Sequence, residues 1–178
     1  MSVDFFWRRV AERSLDELSP KALVGLIPHW FDSEFGSLSA AGEVLGVGRN
    51  GYLIHVALTG ASGGAGADAT AAQLPVFGGE ERVETEGDPG SDSRREWRVL
   101  VLRPDEVRTA SAFLAGVDVD DLVAASDAAL AAEVVSLGFA TPWSEKWSRA
   151  LAADLRELKA FFAGAAAAGD AVITFESA

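Results

Sequence analysis

Cysteine is missing from the chain altogether. Its absence excludes a disulfide framework, a thiolate nucleophile and any zinc site built on thiolates, and nothing marks an oxidising compartment. Histidine is scarce, limited to His29 and His55. Neither belongs to an HxxxH or HxH pair, so a metal would have to draw on two isolated imidazoles and scattered carboxylates, and no metal site is expected. Positive charge is also in short supply: 15 Lys and Arg stand against 27 Asp and Glu, a formal net charge of −12. Binding to nucleic acid or to an anionic membrane surface relies on basic side chains, so neither is expected. A basic protein partner is electrostatically acceptable, although acidity is equally a route to solubility. No apolar run approaches the length of a membrane span. The first residues, MSVDFFWRRVAERS, carry charge too early for a signal-peptide core, so a cytoplasmic protein is expected. No GxxxxGK[ST] phosphate loop occurs, dinucleotide folds and hydrolase elbows are not expected, and no cofactor is implied.

What is present is enough apolar material, 49% of 178 residues, for one domain with a single sizeable core. The stretch that organises the chain is Asn50-Gly51-Tyr52-Leu53-Ile54-His55-Val56-Ala57-Leu58-Thr59-Gly60. Its β-branched residues suit a strand. Asn50 as N-cap, Gly60 at the far end, and Tyr52, His55, Val56 and Thr59 at helical spacing favour a short helix, which is the preferred reading. Residues 4–10 have the aromatic enrichment of a strand. Ser19-Pro20 reads as a helix start, and that helix is expected to run to Pro28 with Leu23, Leu26 and Ile27 on one face. Leu38 to Leu45 is weakly helical. Residues 61–72 lack any large apolar side chain and read as a mobile loop, and 80–95 read as a solvated acidic connector. Trp97 to Leu102 is the best strand by composition. Helices are expected over 104–115, from Asp118 to Leu122 and over 127–136, with Gly138 closing the last. Thr141-Pro142 is expected to start the longest helix, whose stripe is Trp147, Leu151, Leu155, Leu158 and Phe162, with Gly169 as its stop. Ala171 to Phe175 reads as a terminal strand. The sum is an α+β domain spanning 1–178, mostly helical, with a small mixed or antiparallel sheet and a long C-terminal helix followed by the terminal strand.

Together these landmarks resemble the YfbM-like family, a bacterial family of unknown function. Four segments carry the resemblance. Leu53-Ile54-His55-Val56-Ala57-Leu58-Thr59-Gly60 is similar to the family's Leu-His-aromatic-x-Leu-Thr-Gly, and Pro75-Val76-Phe77-Gly78-Gly79-Glu80 looks like its apolar-Gly-Gly stretch. The others are the strand, proline and helix from Arg98 to Val107, and the block from Pro142 to Phe175. The likeness covers most of 45–178. One departure stands out: the family has a tryptophan four residues before the histidine, where this chain has Gly51. The resemblance implies an α+β domain and brings no activity with it.

The candidate site residues are His55, Thr59, Gly60, Gly78, Gly79 and Glu80. His55 suits a general base or a ligand, and equally a core histidine with its ring nitrogens bonded. Thr59, one helical turn on, could serve as a nucleophile beside it, or bond back to its own helix. Gly78-Gly79 could cradle a ligand or simply make a turn at the end of a strand. Trp143 and Trp147 read as helix-entry packing. No third group orients His55, so no catalytic residue is assigned. The leading expectation is a non-enzymatic binding module for a protein partner or small ligand, held between the helix ending at Thr59-Gly60 and the Gly78-Gly79 turn. The alternatives are a hydrolase using His55 with Thr59 or Glu80, and an acidic immunity-type protein neutralising a basic toxin through its 80–92 segment.

Overall fold

The computed structural model describes residues 3–60, 70–87 and 94–177. Among them are five strands: β1 (Asp4–Val10), β2 (Val44–Gly48), β3 (Glu80–Glu86), β4 (Arg95–Leu102) and β5 (Ala171–Ser177). They form one antiparallel sheet in the order β2-β1-β5-β4-β3, so the last strand of the chain sits in the middle. Alternation along each strand gives the sheet two faces. Phe5, Trp7, Leu45, Val47, Leu102 and Val172 belong to the larger core, whereas Phe6, Val10, Val99, Val101, Ala171 and Ile173 belong to a smaller one.

Helices cover both faces. On the smaller-core side lie α1 (Glu12–Glu17), α2 (Pro20–Val24) and α3 (Phe35–Ala40). Against the larger core pack α4 (Gly51–Thr59), α5 (Leu74–Phe77), α6 (Pro104–Ala115), α7 (Val119–Ala125), α8 (Asp127–Ser136) and α9 (Glu145–Ala168). The stripe of α9 is as its spacing predicts: Trp147, Leu151, Leu155, Leu158 and Phe162 are all buried, and Gly169 ends the helix in the left-handed region at φ 72°. In α6 the Glu106 carboxylate accepts from the Arg103 backbone N–H at 2.8 Å, holding the first turn behind Pro104.

Several boundaries differ from expectation. The α2 helix stops at Val24 rather than running to Pro28, because the Gly25 N–H closes back on the last turn and Ile27 turns into the smaller core. Leu38–Leu45 is not one helix: α3 ends at Ala40, Gly42 takes φ 69°, and Val44 and Leu45 pair with β1. Pairing and burial override the weak helical pattern there. The start of α9 is Glu145, since Ser144, not Thr141-Pro142, caps it by accepting from the Trp147 N–H. Of the expected connector 80–95, residues 80–86 form β3 and Arg95 begins its partner β4, while residues 88–93 lie outside the described residues. The charges of β3 remain largely exposed but are paired: Arg82 bonds the Leu15 carbonyl of α1 and Glu80, and Lys21 of α2 bonds Glu84 and Glu86. Of the expected loop 61–72, residues 61–69 lie outside the described residues, and 71–73 form a turn into α5.

Candidate functional site

The site follows from where two strands part. Strand β4 pairs with β3 along seven residues and β5 pairs with β1 along seven. Between themselves β4 and β5 pair only at Leu100↔Thr174, Val101↔Ile173 and Leu102↔Val172. Beyond Leu100 and Thr174 the sheet forks. Continued register would set Arg98 opposite Glu176, an attractive cross-strand pair. Both side chains are engaged elsewhere: Arg98 donates to Glu81 and to Glu96, each at 2.6 Å, and Glu176 accepts from the Tyr52 hydroxyl at 2.7 Å.

On the larger-core side the fork opens into a groove of about 860 Å³. Its end wall is aromatic. Phe5, Tyr52 and Phe77 meet one another with ring centroids 5.2 to 5.6 Å apart, and Thr174 and Leu100 lie at the point of the fork. Among the described residues the charged lining is Glu81, Glu96 and Glu176 with one cation, Arg98. Burial first, and then the hydrogen bond to Glu176, push the Tyr52 hydroxyl well above the ordinary tyrosine range, so it stays protonated as a donor.

The six sequence candidates are only partly gathered here. Gly79 lines the groove. It takes φ 90° at the start of β3, where an added Cβ would lie 2.3 Å from the Val101 carbonyl oxygen, so this position favours glycine twice over. Gly78 is packed on the backbone of Leu74, and the pair forms the turn from α5 into β3 rather than the end of a strand. His55 is 2% exposed, its ring edge-on to Phe77 at 4.9 Å. The Thr59 hydroxyl donates to the His55 main-chain carbonyl at 2.7 Å, and Gly60 ends α4 in the left-handed region. Glu80 is exposed and bonded to Arg82, whose hydrogen bond holds its carboxyl below the usual range. Tyr52 at the start of α4 lines the groove; Thr59-Gly60 stands at the other end of that helix, roughly 10 Å away at 1.5 Å per residue. Among the described residues no cluster of three or more His, Asp or Glu could hold a metal.

Sequence reasoning missed Glu81, Glu96, Arg98 and Glu176. The one signal for Glu96 and Arg98 is their period-two spacing ahead of the apolar Leu100 and Leu102 in β4; Glu81 lies on the face opposite the alternating charges Glu80, Arg82, Glu84 and Glu86 and carries no such signal.

Two short motifs acquire a meaning only in the fold. Gly46, Gly48 and Gly51 stand in the order G-x-G-x-x-G between β2 and α4. The unit is not a dinucleotide site, since β2 runs antiparallel to β1 and protein rings fill the space at Gly46 and Gly51. A Cβ on Gly46 would lie 2.6 Å from the Trp30 ring, and one on Gly51 would lie 2.1 Å from the Phe5 ring. Gly60-Ala61-Ser62-Gly63-Gly64 spells G-x-S-x-G, but it follows a helix where a nucleophile elbow follows a strand, and Ser62 lies outside the described residues.

Just before α4, Asn50 is buried but makes no helix cap with its side chain. Its amide donates to Asp154 at 2.6 Å and its oxygen accepts from the Trp147 indole at 2.7 Å, which locks α4 to α9. Arg49, at φ 37°, lies 4.7 Å over the Trp147 ring.

Residues 48–175 match the profile of a family described as Domain of unknown function (DUF1877). The chain belongs to this family. A solved structure titled as a protein of unknown function, YfbM from Escherichia coli, has a similar fold with a TM-score of 0.55. It is 16% identical and covers 96% of this chain and 98% of its own, so the likeness extends to the fold alone. No curated protein matches the sequence. Against the YfbM-like pattern, the tryptophan expected at Gly51 has no room: the Phe5 ring, reaching in from β1, occupies the place of any side chain there.

Proposed function

We propose that this domain is a non-catalytic binding module whose site is the forked groove and whose ligand carries positive charge. The supporting observation is the lining itself, three carboxylates and one guanidinium set against a preformed aromatic wall. A groove of this size falls within the range of ligand sites, about 300–1,000 Å³. The carboxylates are held by Tyr52 and Arg98, which lowers the ordering cost of binding. A hydrolytic role for His55, Thr59 and Glu80 draws no comparable support, with His55 buried behind Phe77 and Glu80 on the exposed strand. The neutralising alternative shares the requirement for a basic partner and differs in using the 80–92 segment as its surface.

The test is an amide NMR titration with spermidine and benzylamine, using benzoate as the anionic control. The cations are expected to move the resonances of Tyr52, Leu100, Thr174 and Glu176, and Glu176→Gln and Glu96→Gln to weaken the effect. Equal shifts with benzoate, or shifts that map away from these residues, would refute the reading.

A further inference from the structure

The fork is more than a lined depression, because its two walls are strand edges. Residues Arg95–Val99 of β4 are paired with β3 on one side, and on the other side the ladder to β5 has already ended at Leu100. Residues Phe175–Ser177 of β5 are paired with β1 and have likewise left β4. Among the described residues, each stretch therefore presents a row of unpaired main-chain N–H and C=O groups toward the gap. An unpaired edge of this kind is a template for another strand.

We propose that an extended basic peptide enters the fork and adds as a strand along the free edge of β4. This rests on the groove being a binding site for cations and specifies the class of ligand. The two faces of the sheet dictate the pattern of that peptide. Toward the larger-core side the neighbouring side chains are Glu96 and Arg98 of β4, Glu81 of β3 and Glu176 of β5. Toward the other side they are Trp97 and Phe175, both partly buried against the smaller core. Successive residues of a strand point to opposite faces. The ligand therefore carries Lys or Arg at alternate positions, meeting the carboxylates, and apolar residues between them, packing on Trp97 and Phe175. The alkyl stem of a lysine also suits the aromatic wall of Tyr52 and Phe77. Main-chain bonds supply the affinity and the alternation supplies the selectivity. A free amine satisfies the charge requirement alone.

That difference provides the test. Fluorescein-labelled acetyl-Lys-Val-Lys-Val-Lys-amide is titrated by anisotropy against the full chain, beside its isomer Lys-Lys-Lys-Val-Val and two versions N-methylated at alternate residues. The alternating peptide is expected to bind at least tenfold more tightly than the isomer. At least one N-methylated version, the one whose N–H groups face β4, should lose tenfold or more. Glu96→Gln, at an exposed position, should weaken the alternating peptide while circular dichroism stays unchanged. Equal binding of both isomers, with no loss on N-methylation, overturns strand addition but leaves a cation-binding groove. Failure of all peptides while spermidine still shifts Tyr52 and Thr174 has the same meaning. Failure of every cation overturns both the strand and the groove.

Discussion

Gly51→Ala adds one methyl group, and the structure assigns it an unusually large effect. The backbone at Gly51 is not in the left-handed region, so alanine is conformationally acceptable, and in a helix it gains up to about 1 kcal/mol over glycine. Opposing this, the new Cβ would sit 2.1 Å from Cδ2 of Phe5 and 2.5 Å from Cγ. Phe5 is 1% exposed and boxed in by Trp7, Tyr52 and Phe77, with ring centroids 6.0, 5.2 and 5.6 Å away. The ring has nowhere to go without moving the wall of the groove. Overpacking of a filled core costs about 1–3 kcal/mol. Set against that gain, the net loss is about 1–2 kcal/mol, and at roughly 2–4 °C per kcal/mol for a domain of this size the melting temperature should fall by about 2–8 °C. The assay is a double-mutant cycle by urea denaturation with Phe5→Ala. Phe5→Ala alone is destabilising, yet it removes Cγ and the whole ring that the new methyl strikes. Gly51→Ala should therefore cost at least about 1 kcal/mol less in the Phe5→Ala background than in the wild type. A Gly51→Ala protein that melts with the wild type, or a cycle that is additive, would show that the Phe5 ring does not fill the space at Gly51.

Leu155→Ala should destabilise by about 2–5 kcal/mol and Phe162→Ala by about 3–5 kcal/mol in urea melts, since both side chains are fully buried in the α9 stripe. Changes below half of the lower bounds for both would contradict that burial. The Asp154 carboxyl is raised above its ordinary range, first by burial, with the Asn50 hydrogen bond opposing and Glu157 adding to the rise. Its folded form thus holds a proton more tightly than its unfolded form, and its unfavourable contribution grows as pH rises from the unfolded value, about 3.9, through the folded one. Asp154→Asn, which keeps an acceptor for Asn50, should raise the melting temperature at pH 7 and make no difference below pH 3. An Asp154→Asn protein less stable than wild type at pH 7 would contradict the raised carboxyl.

The elements that could be read from sequence are those whose signals are local. Pro104 with Glu106, Asp118, and the three-four spacing from Trp147 to Phe162 each act within one or two turns, and the helices stand where they place them. Strand β3 was hidden because its seven residues include four glutamates and only one apolar side chain, Val83. Composition marks such a segment as solvated, while its partners lie elsewhere: Lys21 is distant in the chain, Arg98 is on the paired strand, and Arg82 reaches from β3 to the Leu15 carbonyl. The groove was hidden for a different reason. It exists because one ladder stops after three residue pairs, and nothing within β4 or β5 announces that stop. His55, the conspicuous polar residue of the sequence, proved less informative than Tyr52 three positions earlier, whose hydroxyl reaches Glu176 at the other end of the chain.

The fork also divides the labour of the sheet. Strands β2, β1 and β5 form one half, with Phe5, Trp7 and Val172 under the main helical layer and Phe6 and Ile173 under the smaller one. The other half, β4 and β3, shares the main helical layer only as far as Leu100 and Leu102, and beyond them Glu81, Val83, Glu96 and Arg98 lie exposed on the groove side, while Val99 and Trp97 stay against the smaller layer. Two halves joined by three residue pairs can differ in stability, and opening free energies are lowest where few apolar contacts hold the backbone. The β3–β4 hairpin beyond the joint has few apolar contacts on its groove side, while Arg82, Lys21 and Trp97 tie its other side to α1, α2 and the smaller core. Its exposed edge would invite self-association were it apolar and flat. Instead Glu81 and Glu96 outnumber the Arg98 they clamp, and with Glu176 they leave that face net negative, which discourages a second acidic copy of this chain and leaves the edge open to a basic strand. The same residues thus account both for the protection of the edge and for the sign of the ligand proposed to occupy it.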